Sequence, residues 1–158
     1  MNIKIDFKLV SGIKGFLSPE IDLDALNLYA PVSYWEAAPS EKRKICNGCG
    51  AKEGLNVPDT MWGLDISEAC KIHDWMYQHG KTLADKIFAD AMFRLNLSMI
   101  IDKYSNPAMA YLRHGRAGKY YLAVTRWGNG AYWTGKTINE DMNITFKGEF
   151  RWIRKDYH

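Results

Sequence analysis

Hydrophobic positions in the middle of the chain repeat with the period of an α-helix. Between residues 66 and 77 they fall at i, i+3, i+4, i+7, i+10 and i+11, which places them on one helical face. Asp65 and Glu68 have the spacing of a capping box at the start of this helix, and Gly80 is a typical C-terminal stop. Thr82 can cap a second helix. The short connection predicts an antiparallel helix hairpin.

The pattern beyond the hairpin predicts further helix with interruptions. The second helix is expected to end near residue 101, after which Asn106-Pro107 restarts the chain. Gly115 and Gly118 are expected to interrupt the helical pattern there, because glycine in a helix interior is destabilising. A third helical piece is then predicted from Lys119 to Trp127.

Both ends of the chain alternate between apolar and polar residues, which is typical of half-buried strands. We expect the two ends to pair as a small sheet. The predicted fold is therefore one mainly α domain over residues 1–158, with a helix-hairpin core and a small β element formed by the chain ends. The alternating apolar residues are Ile3, Ile5, Phe7 and Leu9 near one end, and Ile144, Phe146, Phe150 and Trp152 near the other.

Composition supports a globular protein and excludes several classes. Of 158 residues, 47% are hydrophobic and 25% are charged, which is an ordinary globular balance. No apolar run approaches the ~20 residues of a membrane helix, and the first residues alternate instead of forming a signal-peptide core. The net charge of +3 is too small to indicate a nucleic-acid partner.

His73 and Asp74 are the first candidate functional residues. His73 lies on the face of the predicted helix that should point inward, and Asp74 follows it directly. A lone histidine on such a face is most often a satisfied core residue. Two ionisable neighbours at the edge of an apolar face, however, cost free energy unless each has a partner, so such pairs are candidates for a functional site.

The segment Cys46-Asn47-Gly48-Cys49-Gly50 is a short glycine-rich loop. Glycines allow the backbone to turn sharply and to present its carbonyls to a ligand. Together with the Asp74 carboxylate, such carbonyls are suitable ligands for Ca²⁺. A cation beside an inward histidine suits hydrolysis, in which the metal polarises a carbonyl and the imidazole deprotonates water.

The same region allows a second interpretation, a structural zinc site. Cys46 and Cys49, followed by Cys70 and His73, have the spacing of a Cys₃His site. Such a site would use His73 as a ligand and would leave Asp74 without a role. The chain has three cysteines, so at least one is unpaired within the chain.

The segments 47–50 and 69–77 resemble the secreted phospholipase A2 superfamily, most closely its reduced prokaryotic, phage and viral-type members. The shared pattern is a Gly-Cys-Gly-like calcium loop, then Cys-x-x-His-Asp-x-x-Tyr on one helix, then Ala-Asp-x-x-Phe on the antiparallel helix. The resemblance covers about residues 45–101, as a calcium loop plus a catalytic helix hairpin. It implies a phospholipid membrane surface as the partner. The compartment is left open between virion-associated and cytoplasmic, since the sequence predicts neither a signal peptide nor a membrane helix.

Carried over by position, the resemblance implies roles for individual residues. His73 would be the general base that activates a water molecule. Asp74 would bind Ca²⁺ together with the backbone carbonyls of Gly48 and Gly50, and the cation would stabilise the oxyanion. The implied substrate is the sn-2 ester of a glycerophospholipid.

The resemblance also implies a carboxylate that orients His73, and two aspartates fit that pattern. The helical wheel favours Asp85, because Asp90 has Lys86 and Arg94 at i−4 and i+4. The register of the hairpin favours Asp90. With a rise of ~1.5 Å per residue, the residues of the second helix that lie at the same height as His73 are near 88–90. The spacing in the family also suits Asp90, and we predict Asp90.

Two further roles come from the resemblance. Tyr77 would help to hold this carboxylate, and Cys49 and Cys70 match positions that are often bridged by a disulfide. The chain lacks the multi-disulfide framework of the animal enzymes. A non-enzymatic phage or structural module on the same scaffold is therefore the alternative to a hydrolase, and the oligomeric state is left open.

Overall fold

The computed structural model describes residues 27–46, 58–146 and 150–154. The fold is mainly helical with a small antiparallel sheet, which confirms the predicted fold class. In chain order the elements are β1 (Asn27–Pro31), α1 (Val32–Glu36), α2 (Pro39–Ile45), β2 (Thr60–Met61), β3 (Leu64–Asp65), α3 (Ser67–His79), α4 (Leu83–Tyr104), α5 (Pro107–Trp127), α6 (Asn129–Trp133) and β4 (Phe150–Arg154).

Helices α3 and α4 form the predicted hairpin at the centre of the fold. The N–H of Gly80 donates to Met76 O at 2.9 Å and ends α3. Thr82 then caps α4: its hydroxyl accepts from the Asp85 N–H at 3.1 Å, and the Asp85 carboxylate accepts from the Thr82 N–H at 3.2 Å. This reciprocal cap leaves a connection of three residues, 80–82, so the two helices must lie side by side.

The start of α3 differs from the expected capping box. The helix begins at Ser67, whose N–H donates to the Asp65 carboxylate at 2.8 Å. Glu68 does not reach back to the cap. It is buried and accepts a hydrogen bond from the Tyr34 hydroxyl at 2.7 Å. A tertiary partner thus replaces the local one that the spacing predicted.

The predicted break at Gly115 and Gly118 is absent, and α5 runs without interruption from Pro107 to Trp127. A Cβ atom at either glycine would meet nothing within 4 Å, so neither position marks a close approach of another element. The inner face of the helix is held by burial of Ala117 and Tyr120. Tertiary packing on this face offsets the cost of about 1 kcal/mol that each glycine adds.

The C-terminal strand is present, and within the described residues its partner is β1. β4 pairs with β1 in antiparallel register, with Tyr29 opposite Trp152. The segment from Ile3 to Leu9 lies outside the described residues. Asn96 of α4 fixes the sheet to the hairpin, because its side-chain amide donates to Tyr29 O at 2.9 Å and accepts from Tyr29 N at 2.8 Å.

The segment directly before α3 is a β-hairpin of β2 and β3. Trp62 and Gly63 form its turn and both have positive φ, 47° and 79°. Buried Arg113 of α5 holds this turn by donating to Met61 O at 3.1 Å and Trp62 O at 2.7 Å. The start of α3 is thereby tied to α5.

The core lies between α3, α4 and β1, and α5 and α6 close it. Within the described ranges, no helix combines the length and the apolar character that a membrane span requires. The largest fully buried side chains are Trp75, Tyr34, Tyr132, Leu28, Met61, Ile66, Ile72, Met76, Leu97, Ile100, Ile101 and Asn96.

Candidate active site

The hairpin brings His73 of α3 to Asp90 of α4. His73 Nε2 lies 2.8 Å from Asp90 Oδ1, and the two side chains are only 8% and 2% exposed. The hairpin register predicts that residues near 88–90 lie opposite His73, and in the structure His73 pairs with Asp90. The predicted histidine is therefore buried and has the carboxylate partner that the sequence analysis proposed.

Asp85, the other candidate, does not reach the histidine. Its carboxylate accepts from the N–H groups of Lys81 and Thr145, at 2.7 and 2.6 Å, and from the Thr145 hydroxyl at 2.6 Å. Burial alone would raise the pKa of Asp85, but these hydrogen bonds outweigh burial and lower it. Asp85 therefore caps α4 and fastens the segment around residue 145.

Tyr77, one turn after His73, supplies a second donor to the same oxygen. Its hydroxyl donates to Asp90 Oδ1 at 2.6 Å, and its ring centroid lies 4.1 Å from that of His73. Burial, and then the negative charge of Asp90, raise the pKa of Tyr77, so the phenol stays protonated and remains a donor. Phe93 contacts the imidazole as well, with the ring centroids 4.8 Å apart. These contacts fix the plane of the imidazole.

Lys86 holds the other carboxylate oxygen, and sequence reasoning missed it. Its ammonium donates to Asp90 Oδ2 at 2.8 Å although the side chain is only 3% exposed. On the helical wheel Lys86, at i−4, counted in favour of Asp85 over Asp90, but the structure buries Lys86 together with Asp90. The same spacing is the signal that could have identified the pair, since i,i+4 residues are neighbours on a helix.

The charges around Asp90 keep it ionised. Burial by itself raises the pKa of a carboxyl group. Here the hydrogen bond and charge of His73, followed by the charge and hydrogen bond of Lys86, outweigh burial, and the pKa of Asp90 lies below its ordinary value. An ionised Asp90 can only accept, so His73 Nε2 carries a hydrogen; in the neutral imidazole the lone pair then lies on Nδ1. Among the described residues, no hydrogen-bond donor occupies Nδ1.

Asp74, the candidate calcium ligand, lies near the point where the chain enters the glycine-rich loop. Cys46 docks on α3, with its Sγ–H donating to Lys71 O at 3.2 Å. Burial, and then the negative charges of Asp74 and Glu68, raise the pKa of the Cys46 thiol to about 11. The Asp74 carboxylate is therefore close enough to Cys46 to act on it. Gly48 and Gly50, the other predicted ligands, lie outside the described residues.

The described cysteines do not supply the thiolates that the zinc interpretation requires. Cys70 is disulfide-bonded, so it offers no thiolate, and Cys46 is a free thiol. The third cysteine, Cys49, lies outside the described residues. In the parts of the chain that the structure describes, no group of three or more His, Cys, Asp or Glu side chains could hold a metal ion. A calcium site here would combine one carboxylate with backbone carbonyls, a donor set that side chains alone do not reveal.

The arrangement can perform general-base chemistry. An imidazole is held by a buried carboxylate through one ring nitrogen, and its other nitrogen has a lone pair that can take a proton. The carboxylate is itself held by a phenol and an ammonium group.

No known protein-family model matches this chain, and no curated protein matches it either.

Proposed function

We propose that this protein is a calcium-dependent hydrolase of the sn-2 ester of glycerophospholipids. The observation that carries the proposal is the buried pair of His73 and Asp90, 2.8 Å apart, with Asp74 next along the helix. The substrate and the metal come from the resemblance to phospholipase A2 enzymes. On the same ground we propose a phage or viral protein, virion-associated or cytoplasmic, that acts at a phospholipid membrane surface.

In the proposed reaction His73 Nδ1 takes a proton from a water molecule, and the resulting hydroxide attacks the ester carbonyl. Asp90 keeps the imidazole in the required tautomer and stabilises the imidazolium that forms. The proton on His73 then passes to the leaving alkoxide. When bound by Asp74 and the carbonyls of Gly48 and Gly50, Ca²⁺ would polarise the ester carbonyl and stabilise the developing oxyanion.

The decisive experiment measures fatty-acid release from mixed phospholipid vesicles with excess calcium and with EDTA. We expect calcium-dependent release specific for the sn-2 position. His73→Gln should reduce kcat by about 10²- to 10⁴-fold, the usual contribution of a general base. No calcium-dependent release would exclude the hydrolase and favour the non-enzymatic module on the same scaffold.

A matched control for this substitution lies on α5. His114 is also paired with an aspartate, with its Nε2 2.6 Å from Asp102 Oδ1, but the Asp102 side chain is 66% exposed. His114→Gln removes a histidine and a His–Asp contact without touching the buried pair. We expect it to keep wild-type activity, and equal loss in both variants would argue against His73 as the base.

A further inference from the structure

Lys86 is a lysine whose burial requires an explanation. Its ammonium group lies in the core between α4 and α5, where it donates to Asp90 Oδ2 at 2.8 Å and to Val124 O at 3.3 Å. Taking an ammonium ion out of water is costly unless it is paired and hydrogen-bonded. A methionine or leucine would fill such a position without that cost. The amine therefore has a purpose beyond packing.

The two oxygens of Asp90 have different partners. Oδ1 accepts hydrogen bonds from His73 Nε2 at 2.8 Å and from the Tyr77 hydroxyl at 2.6 Å. Among the described residues, the only donor to Oδ2 is Lys86. Without Lys86 this oxygen would be buried with an unsatisfied charge, and the carboxylate could rotate to share its donors between both oxygens. Lys86 thus decides which oxygen faces the imidazole.

The amine is itself held from the other side. Val124 lies in the last turn of α5, where its carbonyl also accepts the Gly128 N–H at 2.9 Å. Since that carbonyl accepts from Lys86 as well, the end of α5 determines where the ammonium group sits. The position of α5 therefore affects the position of the Asp90 carboxylate, because Lys86 bonds both.

We propose that Lys86 is the positioning residue of this site: it fixes the Asp90 carboxylate by Oδ2, so that Oδ1 stays aligned with His73. The expected changes in kcat rest on the proposed hydrolase activity. The alignment of Asp90 with His73 does not depend on that activity. Lys86 donates to Asp90 and makes no hydrogen bond to His73 among the described residues, so its effect on the imidazole passes through the Asp90 carboxylate.

The kinetic test compares Lys86→Met, Lys86→Arg and Arg94→Met. We expect Lys86→Met to lower kcat by about 10- to 100-fold with little change in KM, because misplacement of a catalytic group affects the chemical step. Lys86→Arg keeps the charge and should recover part of the rate. Arg94, at i+4 from Asp90, bonds Ser98 and the His114 carbonyl instead, at 3.4 and 3.5 Å, so Arg94→Met is the matched control and should retain the wild-type kcat.

Combining variants tests whether Lys86 works through Asp90. In an Asp90→Asn background, Lys86→Met should cause no further loss of kcat. The melting temperature should fall more for Asp90→Asn than for the double variant, because the single change leaves a buried cation without its partner. Should Lys86→Met fail to fold, Lys86→Gln makes the same comparison with a neutral donor. A loss of kcat from Lys86→Met that is equally large in both backgrounds would overturn the proposal.

A spectroscopic measurement separates this inference from the proposed function. The hydrogen-bonded Nε2 proton of His73 should give a low-field ¹H NMR resonance in the wild-type protein that His73→Gln removes. Lys86→Met should broaden or shift that resonance, and Arg94→Met should leave it unchanged. If the wild-type protein releases no fatty acid but shows this behaviour, the hydrolase proposal fails and the positioning role holds. An unchanged resonance in Lys86→Met would overturn the positioning role, whatever the activity.

Discussion

A Cβ atom on Gly128 would lie 2.5 Å from the hydroxyl oxygen of Tyr77. The backbone that follows α5 is therefore packed directly against the group that donates to Asp90 Oδ1. The candidate active site is closed on this side by main chain, and only a residue without a side chain fits there. This relationship makes the end of α5 sensitive to substitution although it lies far along the chain from His73.

Gly128→Ala should displace both the Val124 carbonyl, which its Cβ would meet most closely, and the Tyr77 hydroxyl, lengthening the hydrogen bond from Tyr77 to Asp90. We expect a loss of about 1 to 3 kcal/mol in the free energy of unfolding, as for other overpacked sites, together with a lower kcat. Gly130→Ala is the control, because a Cβ there meets nothing within 4 Å. Urea denaturation of both variants checks the stability. Equal stability of the two would contradict the close approach.

Tyr77→Phe removes the hydroxyl but keeps the ring that contacts His73. A hydrogen bond to a charged group contributes about 1.5 to 3 kcal/mol, and we expect a loss of stability of this size. The kcat should fall less than in His73→Gln, because Asp90 Oδ1 keeps its hydrogen bond to His73. Thermal denaturation and vesicle hydrolysis measure the two effects. Wild-type values in both would show that the phenol does not hold the carboxylate.

Asp85 and Asp90 should separate stability from activity. Asp85→Asn weakens the cap of α4 and its bonds to Thr145, so stability should fall while kcat stays near the wild-type value. Asp90→Asn should lower both, since Asp90 lies against His73. A kcat that falls further in Asp85→Asn than in Asp90→Asn would assign the roles the other way round.

The lowered pKa of Asp85 also predicts how stability depends on pH. A carboxyl group with a depressed folded-state pKa stabilises the protein above its unfolded value of about 3.9. This contribution is lost as the pH falls through the folded-state pKa. The difference in unfolding free energy between wild type and Asp85→Asn should therefore be largest near pH 7 and shrink below about pH 4. Denaturant unfolding at pH 7, 5, 4 and 3 measures it, and a difference that grows in acid would refute the assignment.

The thiol of Cys46 can report calcium at Asp74 without any substrate. The charge of Asp74 contributes to the raised pKa of about 11, after burial. A cation bound to Asp74 would cancel that charge, so calcium should lower the pKa of Cys46, measured as the midpoint of alkylation rate against pH. Asp74→Asn should lower this midpoint by itself and abolish the calcium effect. An identical response in wild type and Asp74→Asn would place the cation elsewhere.

The hairpin was predictable because its signals are local. The apolar stripe of α3, the stop at Gly80 and the cap at Thr82 each depend on residues within a few positions of one another. The length of the connection then sets the register, which brings His73 level with Asp90. The same local reasoning failed at Glu68, which bonds Tyr34 instead of capping its own helix.

The surroundings of Asp90 were not predictable in the same way. The helical wheel identified the neighbours of Asp90 correctly. It could not show whether the face that carries Asp90 is exposed to solvent or buried. α5 covers Lys86, and Val124 O accepts from it. Whether two distant helices meet depends on packing across the core, and a pattern along one helix does not contain that information.

The sequence by itself determined the helix hairpin, its register and the residue types that carry the candidate chemistry, because helix periodicity and caps are short-range effects. Only the tertiary structure decided that Asp85 binds Thr145, that Asp90 is held by Lys86, and that α5 continues through its two glycines. Each of these depends on desolvation, and a side chain loses its water only when elements from distant parts of the chain close over it.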